Sequence, residues 1–210
     1  MYNVAVFEDH AEDYDRWFDD NAPVYQAELD ALRCFLPLAG RGLDVGTGTG
    51  RFAAPLGVDV GVDPALAMLR VAKQRGLSVV QAFGEHLPFR NGRFDYVLMV
   101  TVVCFVARVP VLFAEARRVL KADGQLIVGF IDRSSALGSL YKTRKSERKF
   151  YRSARFYSVN QIADDIRRAG FNELRFCQTI IGIPVEGTVG YRVEQGFGDG
   201  SFVVVSARRT

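Results

Sequence analysis

The segment Gly42-Leu43-Asp44-Val45-Gly46-Thr47-Gly48-Thr49-Gly50-Arg51-Phe52-Ala53 holds the residues of this chain best suited to bind a ligand. An apolar run ends in three glycines at alternate positions, and a helix-compatible stretch follows. The pattern predicts a strand, a tight turn and a helix start. Glycines let a ligand lie directly against the backbone. A helix start offers unpaired N–H groups and partial positive charge to an anionic group. Asp44, at the end of the strand, can accept a hydrogen bond from an ammonium or an ordered water. The ligand described by these features is part anion and part cation.

Spacing narrows the choice. A dinucleotide site requires G-x-G-x-x-G. Here the third glycine, Gly50, comes one residue early, and Arg51 stands where that site needs glycine. The Gly-Lys-Ser/Thr ending of a P-loop is absent. A second apolar run, Val58 to Val62, ends in Asp63-Pro64. A carboxylate at that tip can accept both ribose hydroxyls of a nucleoside. It can also cap a helix that has Pro64 at its first position, and its two oxygens allow both roles.

These residues need elements to position them. Residues 8–36 read as helices, the first with an aromatic stripe at Tyr14, Trp17 and Phe18. The second places Val24, Ala27, Ala31 and Cys34 at helical spacing, with Leu32 and Phe35 broadening the face. Strands are expected at 42–46, 58–62, 77–82, 93–100, 125–131, 173–180 and 202–207. Helices are expected at 51–56, 64–75, 110–120 and 158–169, the last capped by Ser158. Alternating strands and helices argue for a parallel sheet covered on both faces. Residues 133–156 break this pattern, being polar, basic and aromatic. The connection Ile181 to Gly200 contains six glycines and reads as a long loop, functional or mobile.

A chain of 210 residues fits one α/β domain with a substantial core. A net charge of +3 does not suggest a general nucleic-acid binder. Cys34, Cys104 and Cys177 are odd in number and lack metal-ligand spacing. Reduced thiols in a cytoplasm account for them most simply. The longest apolar run, Tyr96 to Ala107, is too short to span a bilayer, and the N-terminus lacks a signal-peptide layout. No metal site is expected.

The motif Asp44-x-Gly46-x-Gly48-x-Gly50 resembles motif I of the class I S-adenosylmethionine-dependent methyltransferases. Further segments resemble their type 11 branch: Gly84-Glu85-His86-Leu87-Pro88-Phe89 with Phe94-Asp95-Tyr96-Val97, and Phe113-x-Glu115-Ala116-x-Arg118-Val119-Leu120-Lys121-x-x-Gly124. The likeness runs from about Arg41 to Arg208. Tyr14-Asp15-x-Trp17-Phe18, Ile131-Asp132-Arg133 and Phe150-Tyr151-Arg152 are similar to a bacterial and archaeal subgroup of unsettled substrate. The resemblance implies a Rossmann-like sheet of seven strands, helices on both faces and the last strand antiparallel. It implies one domain: a helical lid (1–40), a cofactor core (41–132), a basic and aromatic insertion (133–157) and a C-terminal helix with two strands (158–210).

The resemblance also implies S-adenosyl-L-methionine as cofactor and S-adenosyl-L-homocysteine as product. Its contacts would be Asp44, Gly46, Thr47, Gly48, Gly50, Asp63, Pro64, Phe83, Gly84 and Glu85, with Tyr14 covering it. Many relatives place an aspartate where this chain has Phe83. The adenine would then meet a backbone N–H at Gly84 or Glu85, or, with the alignment slipped, the Glu85 side chain. Methyl transfer is an in-line displacement that mainly needs alignment. A base remains optional, with His10, Tyr14 and Cys104 as weak catalytic candidates; His86 reads as a surface or packing residue. The acceptor would meet Thr101, Arg133, Tyr141, Lys145 and Tyr151.

Eight basic residues against one Glu147 in 133–155 read either as a lid over an anionic or aromatic acceptor or as a solvated face. The leading expectation is a small-molecule methyltransferase. The alternatives are an RNA or protein methyltransferase using residues 133–155, a non-catalytic S-adenosylmethionine-binding module and, disfavoured by the glycine spacing, an NAD-dependent oxidoreductase. The acceptor and the oligomeric state cannot be read from the sequence.

Overall fold

The computed structural model describes residues 4–144, 149–182 and 190–210. Three helices open the chain: α1 (Val4–Asp9), α2 (Ala11–Asp20) and α3 (Ala22–Arg33). There follow β1 (Gly42–Val45), β2 (Val60–Asp63), α4 (Leu66–Gln74), β3 (Ser78–Gln81), β4 (Phe94–Val100), α5 (Val109–Val119) and β5 (Leu120–Ile131). The last part holds α6 (Ala136–Thr143), α7 (Val159–Arg168), β6 (Phe171–Ile181), β7 (Glu194–Gln195) and β8 (Gly200–Arg209). All belong to one sheet, ordered β3-β2-β1-β4-β5-β8-β6-β7. The first five strands run parallel, and β8 lies antiparallel between β5 and β6.

The seven expected strands are therefore present, with β8 reversed, and β7 adds a two-residue eighth. β7 falls in the connection read as a long loop. Gly196 and Gly198, at φ +86° and +125°, turn the chain back there, and the Gly196 N–H donates to Phe176 O at 2.9 Å.

The central strands are apolar throughout because both faces are covered. The side chains of β4 divide between two cores, alternating from Tyr96 onward after a register shift between Phe94 and Tyr96. Phe94, Val97 and Met99 pack with Leu112, Phe113 and Ala116 of α5 and with Ile162 and Ile166 of α7. Tyr96, Leu98 and Val100 pack in the opposite core, with Leu29 and Leu32 of α3, Phe52 and Leu137. A capping box of Ser158 and Gln161 starts α7, as its sequence implies.

Two expectations at the glycine-rich motif are corrected. Residues 51–57 form turns and no regular helix. Pro55 has no N–H to give the Arg51 carbonyl, and proline disrupts a helix interior; the Tyr25 hydroxyl donates to that carbonyl instead. Gly57, at φ +68°, ends the segment. Likewise Asp63 does not cap α4, whose N-cap is Ala65. Pro64 precedes the helix, and Asp63 Oδ1 closes a local turn by accepting from Ala65 N at 2.9 Å.

Strand β1 bonds β2 on one side and β4 on the other, so the strand order reverses beside it. Open α/β sheets bind ligands at such a point, outside the carboxyl ends of the strands.

Candidate active site

A cleft opens at that edge and encloses about 710 Å³, its mouth included. Gly46 and Gly48 form its floor, at φ +76° and +55°. A Cβ on Gly46 would lie 2.4 Å from Val102 Cγ2, and one on Gly48 would lie 3.5 Å from the Tyr14 ring. The Gly46 and Thr47 N–H groups donate to Val62 O at 2.8 and 2.9 Å, and Gly48 N–H donates to Asp63 Oδ2 at 3.0 Å. Asp63 and Pro64 form one wall, Phe83, Gly84 and Glu85 another, and Tyr14 and Thr101 a third. Gly50 stands off the wall: it packs against Ala72 and Leu77, where a Cβ would lie 3.3–3.4 Å from them.

Buried carboxyl oxygens around the cleft lack a partner. Asp44 Oδ1 and Glu85 Oε2 have no hydrogen bond among the described residues, while the Thr47 hydroxyl lies near the Asp44 carboxyl and the Thr49 hydroxyl near that of Asp15. Leaving a buried acceptor unpaired costs about 1–3 kcal/mol. Burial, with a smaller contribution from the nearby Asp63 charge, pushes Asp44 up to about 7, although the Thr47 hydroxyl pulls it down. Burial also raises Asp63 to about 6, although the Ala65 and Gly48 N–H groups pull it down. The other Glu85 oxygen, Oε1, accepts from the N–H groups of Ala107 and Arg108 at 3.0 and 3.2 Å. The α5 motif positions this loop: Glu115 accepts from Leu87 N, and Arg118 donates to Leu87 O and Phe89 O.

Arg51, the residue in place of a dinucleotide-type glycine, grips α2. Its guanidinium reaches both carboxylate oxygens of Asp15, at 2.9 and 2.7 Å, and both of Asp19, at 2.7 Å each. Arg75 adds a bond to Asp15 and another to Thr49 O. Burial would raise the Asp15 carboxyl, but the two guanidinium groups outweigh it and hold it at about 2. From α1, Glu8 accepts from Ala67 N in the first turn of α4 at 3.1 Å. The lid helices are thus tied to the elements that carry the glycines and Asp63. Tyr14 meets Phe7, Phe18 and Phe150 edge to face, and burial pushes its hydroxyl far above the usual phenol range.

A second cavity, enclosing about 980 Å³ with its mouth included, shares the walls Tyr14, Thr101 and Phe105 with the cleft. Tyr141 and Tyr151 line it, tilted against each other with ring centroids 5.0 Å apart. Thr101 sits at the end of β4 with φ +55°, a backbone conformation that is strained for a β-branched residue.

Other expected site residues lie elsewhere. His10 is on the surface beside Asp13 and Lys149. Cys104 packs in the core, with its thiol donating to Thr101 O. Arg133 is exposed and lines neither cavity. Lys145 is outside the described residues. In the insertion, Leu137, Tyr141 and Tyr151 turn inward, while Lys142, Arg144, Lys149, Arg152 and Arg155 are exposed. Its described basic residues are solvent-exposed, with Lys149 also at the edge of the second cavity.

The sequence reading missed Phe7, Phe105 and Glu28, all on cavity walls. Glu28 had a signal: it falls on the buried face of α3, among Val24, Ala27, Ala31 and Leu32, where a carboxylate is out of place.

With a reversed β8, a glycine turn after β1 and an acid at the tip of β2, the chain has the architecture of a methyltransferase. It belongs to the S-adenosylmethionine-dependent methyltransferase family, and residues 43–128 match the family's methyltransferase domain. A Thermotoga maritima crystal structure is 41% identical, covers 98% of this chain and 99% of its own, and superposes with a TM-score of 0.93. It is described as an S-adenosylmethionine-dependent methyltransferase, "possible histamine N-methyltransferase". An uncharacterised Methanocaldococcus jannaschii protein is 41% identical over 98% of this chain and all of its own. The malonyl-[acyl-carrier protein] O-methyltransferase of Geobacter sulfurreducens is 30% identical over 80% of this chain and 69% of its own.

Proposed function

We propose that this protein binds S-adenosylmethionine in the cleft and transfers its methyl group to a small molecule held in the adjoining cavity. One observation carries this reading: Asp44 Oδ1 is buried without a partner beside the Gly46–Gly48 turn. A cofactor ammonium would satisfy that oxygen; the Thr47, Gly48 and Gly50 N–H groups are already bonded, to Val62 O, Asp63 Oδ2 and Thr47 O, so the cofactor carboxylate would turn to Thr49 N–H. Asp63 would accept from the ribose hydroxyls with the lone pairs its two backbone donors leave over. Glu85 Oε2, buried and unpaired, is an acceptor of the kind an adenine amino group needs, and Phe83 supplies apolar contact. Tyr14 covers the site. When bound, the sulfonium supplies an already activated methyl electrophile.

A small acceptor fits the aromatic-walled second cavity better than RNA or a protein chain does. The relatives' descriptions name both an oxygen and a nitrogen acceptor, so likeness alone leaves the atom open.

The test is thermal unfolding with S-adenosylmethionine, S-adenosylhomocysteine and NADH separately. Ligand at 100 times its dissociation constant stabilises by about 2.7 kcal/mol, or roughly 5–10 °C for a chain of this size. The rise is expected with both adenosyl ligands and lost in Asp63→Ala. A rise with NADH alone, or none, overturns the assignment. Formation of S-adenosylhomocysteine in the presence of an acceptor separates an enzyme from a binding module.

A further inference from the structure

The second cavity contains one buried carboxyl in an apolar and aromatic wall. Glu28, on α3, is 5% exposed. Among the described residues it makes no hydrogen bond and no ion pair. Burial alone pushes its carboxyl up to about 8. Its neighbours on the wall include Trp17 and Phe18 of α2, Phe52 from the turn after β1, Phe105, Tyr141 of α6 and Tyr151. The charge of Glu28 acts on the hydroxyls of both Tyr14 and Tyr151.

The other titratable groups on this wall are Tyr14, Tyr141, Tyr151 and Lys149. Lys149, the one cation, is half-exposed, and its ammonium is bonded to Asp13 at 2.8 Å. The other described basic residues of the insertion face solvent. The interior of the cavity therefore presents acid and aromatic faces and no unpaired described cation. Ring faces attract cations, most strongly where water is excluded. Burying a carboxylate without a partner is costly, and a leucine would fill this helix face at no such cost. A ligand that brings its own positive charge removes that cost; a neutral alcohol removes little of it, and an anion adds to it.

We propose that the acceptor is a small organic amine with an apolar body, bound as its ammonium against Glu28 inside this aromatic cavity, and that the Glu28 carboxylate takes its proton before transfer. This rests on the methyltransferase reading of the adjoining cleft. The balance is simple. One N–H proton passes to Glu28, freeing the nitrogen lone pair. A nitrogen–carbon bond then forms as the carbon–sulfur bond breaks, and that bonding pair stays on sulfur. The proton leaves Glu28 for solvent, and the product leaves as the methylated ammonium. Selecting the acceptor by charge in this way puts specificity in a residue that touches no part of the cofactor cleft.

The test is calorimetric titration of the protein saturated with S-adenosylhomocysteine. The probes are benzylamine, phenethylamine, cyclohexylamine and trimethylamine, with the alcohol counterparts of the first three and the matching carboxylates. At least one amine is expected to bind tenfold or more tighter than its counterparts. Near pH 7 that binding is expected to release close to one proton, read as a binding heat that differs between phosphate and Tris buffers. Glu28→Gln is expected to abolish both the preference and the proton release, with its binding of S-adenosylhomocysteine unchanged. Glu28→Met serves if the amide variant folds poorly. Equal binding of amines and alcohols, no amine binding at all, or a preference that survives both variants overturns the proposal. Loss of the S-adenosylhomocysteine signal itself would instead count against the cleft assignment.

Discussion

Gly46 shows how much a single residue decides at this site. Its φ of +76° disfavours any side chain, and a Cβ would lie 2.4 Å from Val102 Cγ2. Gly57 has a similar φ, +68°, but open space where its Cβ would be. The left-handed backbone alone costs about 1–2 kcal/mol for a non-glycine residue. Gly57→Ala should therefore lower Tm by about 2–8 °C, and Gly46→Ala by distinctly more, with loss of S-adenosylhomocysteine binding. Equal losses in the two variants would mean that the Val102 contact relaxes and the turn tolerates a side chain. Residues such as Gly46, Gly48 and Asp63 were legible in the sequence because their roles follow from local backbone geometry. Glu28 was not assigned, because its meaning depends on rings brought from α2, α6 and the segment after β4. His10 and Cys104 suggested chemistry by type alone, and the fold puts one on the surface and the other in the core.

Among the elements, the lid helices illustrate a different limit. The sequence shows that residues 8–36 are helical; it does not show what α2 docks against. The answer is Arg51, which the motif marks only as a non-glycine. Four hydrogen bonds from its guanidinium to Asp15 and Asp19, with Arg75 behind them, fasten α2 to the glycine turn. Arg51→Ala should cost about 1.5–3 kcal/mol, the worth of hydrogen bonds to charged groups, and speed amide exchange across α2 before the sheet is affected. Arg51→Lys should recover only part, since an ammonium lacks the planar fork. Unchanged exchange in α2 would show that its aromatic contacts hold it unaided. The missing helix at 51–57 was readable at Pro55, whose lost N–H rules out the regular bond to Arg51 O; the hydroxyl of Tyr25 that replaces it comes from 26 residues earlier in the chain.

For the whole molecule, the parallel sheet followed from the succession of strands and helices and the reversed β8 from the family likeness, and the sheet bears them out. β7 escaped because two residues carry no periodicity. The molecule also stores buried acids, and this sets its pH dependence. Glu28, Asp44 and Asp63 titrate near 8, 7 and 6 when folded, above the usual carboxylate range. In the pH window between their unfolded and folded values, the native state keeps protons that the unfolded chain has released. Stability of the ligand-free protein should therefore fall as pH rises from about 4.5 to 8, each retained proton contributing about 1.4 kcal/mol per pH unit. Asp15 acts in the opposite sense: held at about 2, it adds stability above the usual carboxylate pKa that is lost as pH falls toward 2. Glu28→Gln should flatten the descent between about pH 5 and 8. Denaturant melts of both proteins across that range check this, and parallel curves would mean that Glu28 is ionised in the empty cavity.

The Arg51 fastening has a kinetic side. Helix α2, which carries Tyr14 over the cleft, is held partly by charge, and the Asp19 side of that attachment is open to solvent, at 65% exposure. Mobile ions weaken such attachments far more than they weaken apolar packing. Where escape of the spent cofactor limits turnover, added salt should raise kcat while raising KM for S-adenosylmethionine, and Asp19→Asn should reproduce much of that trade in dilute buffer. The grip would then act as a timer, setting how long each turnover stays committed before the site empties.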